Sequence, residues 1–182
     1  MGAISSSPFR RLIGDEGGAA AAELAIWVGV LIVPLLSAAD FGYYVFQQMQ
    51  LDNAAQVAAQ AGWKACDSPE KWPATAPERC VELEEVVLAA AQSTSLGQAV
   101  TLSLPIEEAY YCPDEAGDLI EVGRPPDPKP ADCSAAPTSP AETPGDYIQV
   151  TLSYAYSPIF RGLSLAELLP SPITRTAWMR LE

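Results

Sequence analysis

Three sets of residues in this chain could do chemistry: one carboxylate at the mouth of an apolar stretch, four cysteines, and a few adjacent acidic pairs. Glu23 is the only charged residue in positions 19–39. A carboxylate there is costly unless it is protonated, reaches the interface or meets a cation. It can also serve as the negative first-turn residue of a helix. Taken alone, it reads as an interfacial residue of that first turn. Cys66, Cys80, Cys112 and Cys133 all follow the apolar stretch, and outside a reducing compartment such an even set forms disulfides. Of the three possible pairings, loop closure favours nearest neighbours, Cys66–Cys80 and Cys112–Cys133. A closed loop of ~15 residues stabilises a fold by ~3 kcal/mol in the chain-entropy model. Zinc fits poorly, because there is no Cys-x2–4-Cys pair and no histidine. The missing histidine also removes Ser-His-Asp and Cys-His catalysis. Glu84-Glu85, Glu107-Glu108 and Asp114-Glu115 lack the spacing of a calcium loop and read as solvated acidic faces. Neither a phosphate-binding glycine loop nor a Gly-x-Ser-x-Gly turn is present. No catalytic, cofactor-binding or metal-ligating residue is expected, and the chain does not read as an enzyme.

The composition agrees. The chain has 182 residues with 10 Lys+Arg against 23 Asp+Glu, a formal charge of −13. A surface this acidic argues against nucleic acid as a partner. Hydrophobic residues reach 49% while charged ones are 18%, and much of the excess lies in residues 19–39, long enough for a spanning helix. Arg10 and Arg11 precede this stretch, and the first basic residue after it is Lys64. That asymmetry places the N-terminus in the cytoplasm and the remainder outside. Gly29 and Pro34 interrupt the run, as spanning helices tolerate.

The elements beyond it follow from periodicity. In residues 40–63, Phe41, Tyr44, Val45, Gln48, Leu51, Ala55, Ala58 and Gly62 recur at spacings of three and four, predicting that the same helix continues with one apolar band. Tyr43, Tyr44 and Phe46 fall where an interfacial aromatic belt belongs. The alanines at 54, 55, 58, 59 and 61 allow close approach, either by the rest of this chain or by another helix. A second helix is expected over 77–95, burying Leu83, Val87, Ala90 and Ala91. Alternation predicts strands over 99–104, 146–157 and 173–181, with short ones at 110–112 and 119–122. Eight prolines mark 113–144 as an excursion with little regular structure. The expected fold class is α+β, with an antiparallel sheet of three to five strands against helices.

The N-terminus reads Gly17-Gly18-Ala19-Ala20-Ala21-Ala22-Glu23-Leu24 behind an Arg-bearing leader. This resembles the type III signal of type IV pilins and pseudopilins: a glycine, a cut, and glutamate at the fifth mature position. The resemblance implies that a prepilin peptidase cuts between Gly18 and Ala19. The new α-amino group at Ala19, cationic at neutral pH, would pair with Glu23 of a neighbouring subunit. The arrangement as a whole resembles the TadE/TadG-like family of the tight-adherence (Flp, type IVc) pilus system. The likeness runs from Arg10-Arg11-Leu12-Ile13-Gly14 through the helix with Pro34 to Asp40-Phe41-Gly42. It resumes in Ile148-Gln149-Val150-Thr151-Leu152-Ser153-Tyr154, Ser157-Pro158-Ile159-Phe160 and Thr176-Ala177-Trp178-Met179-Arg180-Leu181-Glu182. Leu24 stands where many members carry phenylalanine.

The family likeness implies a pilin-like minor pseudopilin: leader 1–18 in the cytoplasm, transmembrane helix 19–39 in the bacterial inner membrane, and a periplasmic α+β domain 40–182. Its implied partners are the prepilin peptidase, other minor pilins, the Tad secretion apparatus and membrane lipid. Two alternatives use the same residues. One is a membrane-tethered periplasmic binding or scaffold domain unrelated to pili. The other is a secretory signal peptide cut after Ser37-Ala38-Ala39, releasing a soluble protein that begins at Asp40.

Overall fold

The computed structural model describes residues 16–76, 78–114, 116–134 and 142–181, with backbone alone at 16, 17 and 19. Helix α1 is Glu16–Ala65. Then come a 3-10 turn at Pro69–Lys71, helix α2 at Leu83–Gln92 and a 3-10 turn at Gly97–Ala99. The strands are β1 Val100–Leu102, β2 Glu107–Pro113, β3 Leu119–Gly123, β4 Gly145–Tyr154 and β5 Ile173–Arg180, with a 3-10 turn at Leu165–Leu168 before β5. A long apolar helix thus precedes a small antiparallel sheet, an α+β fold. The contacts divide the chain into two units, Met1–Tyr44 with Ser157–Leu169, and Val45–Tyr156 with Pro170–Glu182.

The second unit holds all five strands. β4 is their hub, pairing with β5 through residues 147–154 and, along its other edge, with β2 and β1. β2 also pairs with β3. Every contact is antiparallel. Ile148, Val150 and Leu152 of β4 are fully buried, as alternation along a half-buried strand requires. The intervening positions form a polar and aromatic row: Gln149 donates to the Tyr111 hydroxyl at 2.7 Å, and the Thr151 and Thr176 hydroxyls meet at 2.8 Å. Tyr111 also lies edge-on to Tyr147 and Trp178, at 5.6 and 5.0 Å between ring centroids.

Within this unit α1 turns small residues inward. Leu51, Ala54, Ala55, Ala58 and Ala59 are buried. A Cβ on Gly62 would sit 3.0 Å from Val87, 3.2 Å from Leu83 and 3.2 Å from Ile148, so α1 approaches both α2 and β4 as closely as a bare backbone allows. The alanine stripe is thus consumed within the chain itself. Its phase differs from the expected band at the near end, since Phe41 and Val45 are exposed while Asp40, Tyr44 and Gln47 are buried. Tyr44 is therefore no part of an exposed aromatic belt.

Several boundaries shift from the expectation, among them the start of β2, at Glu107 rather than Tyr110. α2 begins six residues later than predicted, at Leu83, because Cys80 is tied to Cys66 and the chain around it makes turns, Arg79 N–H to the Ala76 carbonyl and Leu83 N–H to that of Cys80. It ends at Gln92, where the Ser93 and Thr94 hydroxyls take the Ala90 and Ala91 carbonyls, both at 2.7 Å. Ala90 is only half-buried. β1 stops at Leu102, two residues short of the expected 99–104, and Leu104 is exposed. β4 stops at Tyr154, where its pairing with β1 and β5 runs out.

Candidate membrane and assembly site

α1 from Ala20 onward is long and apolar enough to cross a membrane. Between 20 and 35 every described side chain is exposed, among them Leu24, Ile26, Trp27, Leu31 and Leu35. In water, so many large apolar side chains around one helix would be costly, at roughly 25 cal/mol per Å² of apolar surface. Bilayer hydrocarbon removes that cost. Glu23 is exposed in the first turns of this surface. Gly18 is exposed too; the Ala19 side chain and the leader with Arg10 and Arg11 lie outside the described residues.

Where the apolar stretch ends, polar groups of α1 capture a distant loop of the same unit. Asp40 is fully buried, and its carboxylate accepts the N–H groups of Ile159 and Phe160, at 2.9 and 3.2 Å. Ser37, one turn earlier, accepts the Leu165 N–H at 3.1 Å. These bonds bridge about 120 residues of sequence, |i−j| being 119, 120 and 128.

The second unit holds both disulfides. Cys66 is joined to Cys80 and Cys112 to Cys133, with Cα separations of 6.0 and 5.8 Å, the nearest-neighbour pairing of the three possible. The Cys66–Cys80 loop is fixed further by Trp72 Nε1, which donates to the Cys66 carbonyl at 2.8 Å, and by Glu108. Glu108 is not part of a solvated acidic face. It is buried, and its carboxylate accepts Ala74 N–H, Thr75 N–H and the Thr75 hydroxyl at 3.0, 2.7 and 2.7 Å. Asp114 likewise organises the β2–β3 turn, accepting the N–H groups of Ala116 and Asp118, both at 2.8 Å, around Gly117 at φ +87°. Only a residue without Cβ adopts that φ readily. Sequence reasoning missed Asp40 and Glu108 as anchors. The N–H groups they hold lie 33 or more residues away in sequence, so local pattern does not mark them.

The electrostatics are those of a structural surface. Burial raises the Tyr110 and Tyr111 hydroxyls above the ordinary phenol range; next in weight, Asp146 acts on Tyr110 and Glu121 on Tyr111. Two hydrogen bonds to Glu121, at 2.8 and 2.9 Å, raise the exposed Arg124. Ser134 holds the Asp132 carboxyl below its usual value by hydrogen bonding. A cleft of about 590 Å³ runs past Thr75, Glu84, Ile106, Glu108 and Arg124, but Glu108 is already committed to backbone N–H groups. Among the described residues no group of three or more Cys, Asp and Glu could hold a metal ion.

Residues 18–60 match the TadE-like protein family model. The TadE-like segment begins at the glycine of the expected cut, includes Glu23 and the whole exposed apolar surface, and ends among the buried alanines of α1. It relates the chain to tight-adherence pilus proteins. The likeness noted for the closing strands lies outside the matched residues. No curated protein and no solved structure matches the chain.

Proposed function

We propose that this chain is a minor pseudopilin of a tight-adherence pilus system, cut by a prepilin peptidase between Gly18 and Ala19 and held in the bacterial inner membrane by residues 19–39. Residues 1–18 are the cytoplasmic leader, and residues 40–182 lie in the periplasm. The observation that carries this reading is the TadE-like match starting at Gly18 and running through a helix whose large apolar side chains are all exposed from Leu24 to Leu35. Processing leaves the Ala19 amine cationic at neutral pH, with an ordinary pKa near ~8. Inside an apolar bundle of helices that amine and Glu23 of an adjoining subunit relieve each other's desolvation cost. Assembly therefore registers subunits through Ala19 and Glu23. The prepilin peptidase, other minor pilins, the Tad secretion apparatus and lipid are the partners.

Ser37 and Asp40 also favour a retained helix over a cleaved signal peptide. A cut after Ala39 would remove the Ser37 hydroxyl from Leu165 N–H and place a new charged amine at buried Asp40. Mass spectrometry of the native N-terminus tests the proposal. Ala19 is the expected first residue; Asp40 would establish release, and Met1 or Gly2 would exclude prepilin processing. In a processed background, Glu23→Gln should leave membrane insertion unchanged and reduce pilus assembly, read by pelleting of sheared fibres. Full assembly with Glu23→Gln would remove the pairing mechanism.

A further inference from the structure

The loop from Ser157 to Leu169 belongs to the same unit as the apolar half of α1, and its surface is unusual for an acidic, exported domain. Ile159, Leu163, Leu165 and Leu168 are all exposed, Leu168 to 85%. Four large apolar side chains exposed within ten residues mark a candidate surface for a partner.

Three observations identify that partner as lipid. The first is position. Ser37 and Asp40, which hold the loop, lie at the end of the apolar stretch, about 4.5 Å apart along a helix that rises ~1.5 Å per residue. The loop therefore stands at the level where a spanning helix leaves the hydrocarbon. The second is backbone chemistry, because a segment entering a membrane boundary must satisfy its own N–H groups. Ile159 and Phe160 donate to Asp40, and Leu165 to Ser37. Gly162 donates to the Glu167 carboxylate, Ala166 to the Ser164 hydroxyl, and Leu163 to the Phe160 carbonyl. The third is charge. In a chain of net charge −13 this loop is neutral: its one carboxylate, Glu167, is turned onto the loop's own backbone, while Arg161 is exposed and donates to Ser157 Oγ. An exposed guanidinium beside apolar side chains suits phospholipid headgroups.

We propose that residues 159–168 form a membrane-contacting collar that seats Ile159, Leu163, Leu165 and Leu168 at the headgroup–acyl boundary around the exit of α1, with Arg161 on the headgroup phosphates. This inference rests on the membrane anchoring proposed above. The collar gives the chain a second, non-spanning lipid contact, so the chain leaves the bilayer braced at two points rather than on one stem.

All four cysteines are in disulfides, so a single introduced cysteine can be labelled selectively with an environment-sensitive fluorophore. The full chain carrying Leu168→Cys, and separately Leu31→Cys, is reconstituted into vesicles of phosphatidylcholine with phosphatidylglycerol, with and without nitroxide-labelled acyl chains. Near-UV circular dichroism checks each fold. Both labels should brighten several-fold and be quenched by the nitroxide lipid, the label at 168 from a shallower nitroxide than the label at 31. Quenching at 31 with none at 168 overturns the collar and leaves the anchor standing, whereas quenching at neither site overturns both. A label at 168 that is shielded from iodide, unquenched by lipid and cross-linkable to a second copy would assign the surface to protein instead. As a second variant, Leu168→Asp should abolish lipid quenching of a label at Leu163→Cys, and position 168 is exposed enough to accept the charge without disturbing the fold. Quenching that persists there overturns the collar as well.

Discussion

The two halves of α1 belong to one unbroken helix and have opposite fates. From Leu24 to Leu35 the large side chains are exposed all round the helix, whereas from Leu51 to Gly62 the inward positions are buried and, after Leu51, small. One half is built for a solvent that is itself apolar. The other is built for a neighbour that must come close. Hydropathy, side-chain size and periodicity separate these roles together: residues 24–35 carry no charged or amide side chain, whereas Asp52, Asn53, Gln56 and Gln60 interrupt the alanines of 51–62.

Paired substitutions test that contrast. Leu51→Ala should destabilise the folded domain by about 2–5 kcal/mol, the range for a buried leucine. Leu31→Ala, on the exposed half, should stay within about 0.5 kcal/mol. Thermal unfolding in detergent, followed by near-UV circular dichroism, measures both, and equal losses would erase the distinction. Gly62→Ala forces a methyl group to within 3.0 Å of Val87 and should cost about 1–3 kcal/mol. Gly29, where an added Cβ would meet nothing within 4 Å, should accept alanine without loss in the same assay.

Smaller effects sharpen the picture of the distal half. Arg175 of β5 meets Asp52 of α1 at 3.1 Å, and both side chains are partly exposed. Asp52→Asn should therefore cost less than about 1 kcal/mol, and less again in high salt. The least change is expected from pH. Tyr110 and Tyr111 have folded pKa values above 10.0, the value the unfolded chain carries. The folded state thus holds their protons longer, so their contribution is complete below pH ~10 and falls as pH rises through the folded values. Tyrosinate absorbance should appear later than in a denatured control, and Tyr110→Phe should blunt the alkaline loss of stability.

Most of the architecture was legible because it follows from local pattern. The apolar run over 19–39 and the three- and four-residue spacing beyond it predict α1, and alternation at Ile148, Val150 and Leu152 predicts β4. The disulfide pairing follows from loop closure between sequence neighbours. The missed features all depend on distant partners. Asp40 is buried while its neighbour Phe41, with the better apolar credentials, is exposed, and the N–H groups of Ile159 and Phe160 are what its carboxylate serves. Glu108 reads as half of a solvated acidic pair until the Ala74 and Thr75 N–H groups are seen to need an acceptor. The early start expected for α2 failed because periodicity does not register the bridge at Cys80.

β4 bonds to three of the other four strands, yet its residues are 145–154 of 182. A chain emerging N-terminus first can close both cysteine loops before that strand exists, since Cys133 precedes it and the loops do not overlap. Only the β2–β3 hairpin can form by then, and β1 waits with its edge unsatisfied for a partner about fifty positions downstream. The chain order thus allows the covalent staples to close first and leaves the sheet incomplete until the segment from Gly145 onward arrives.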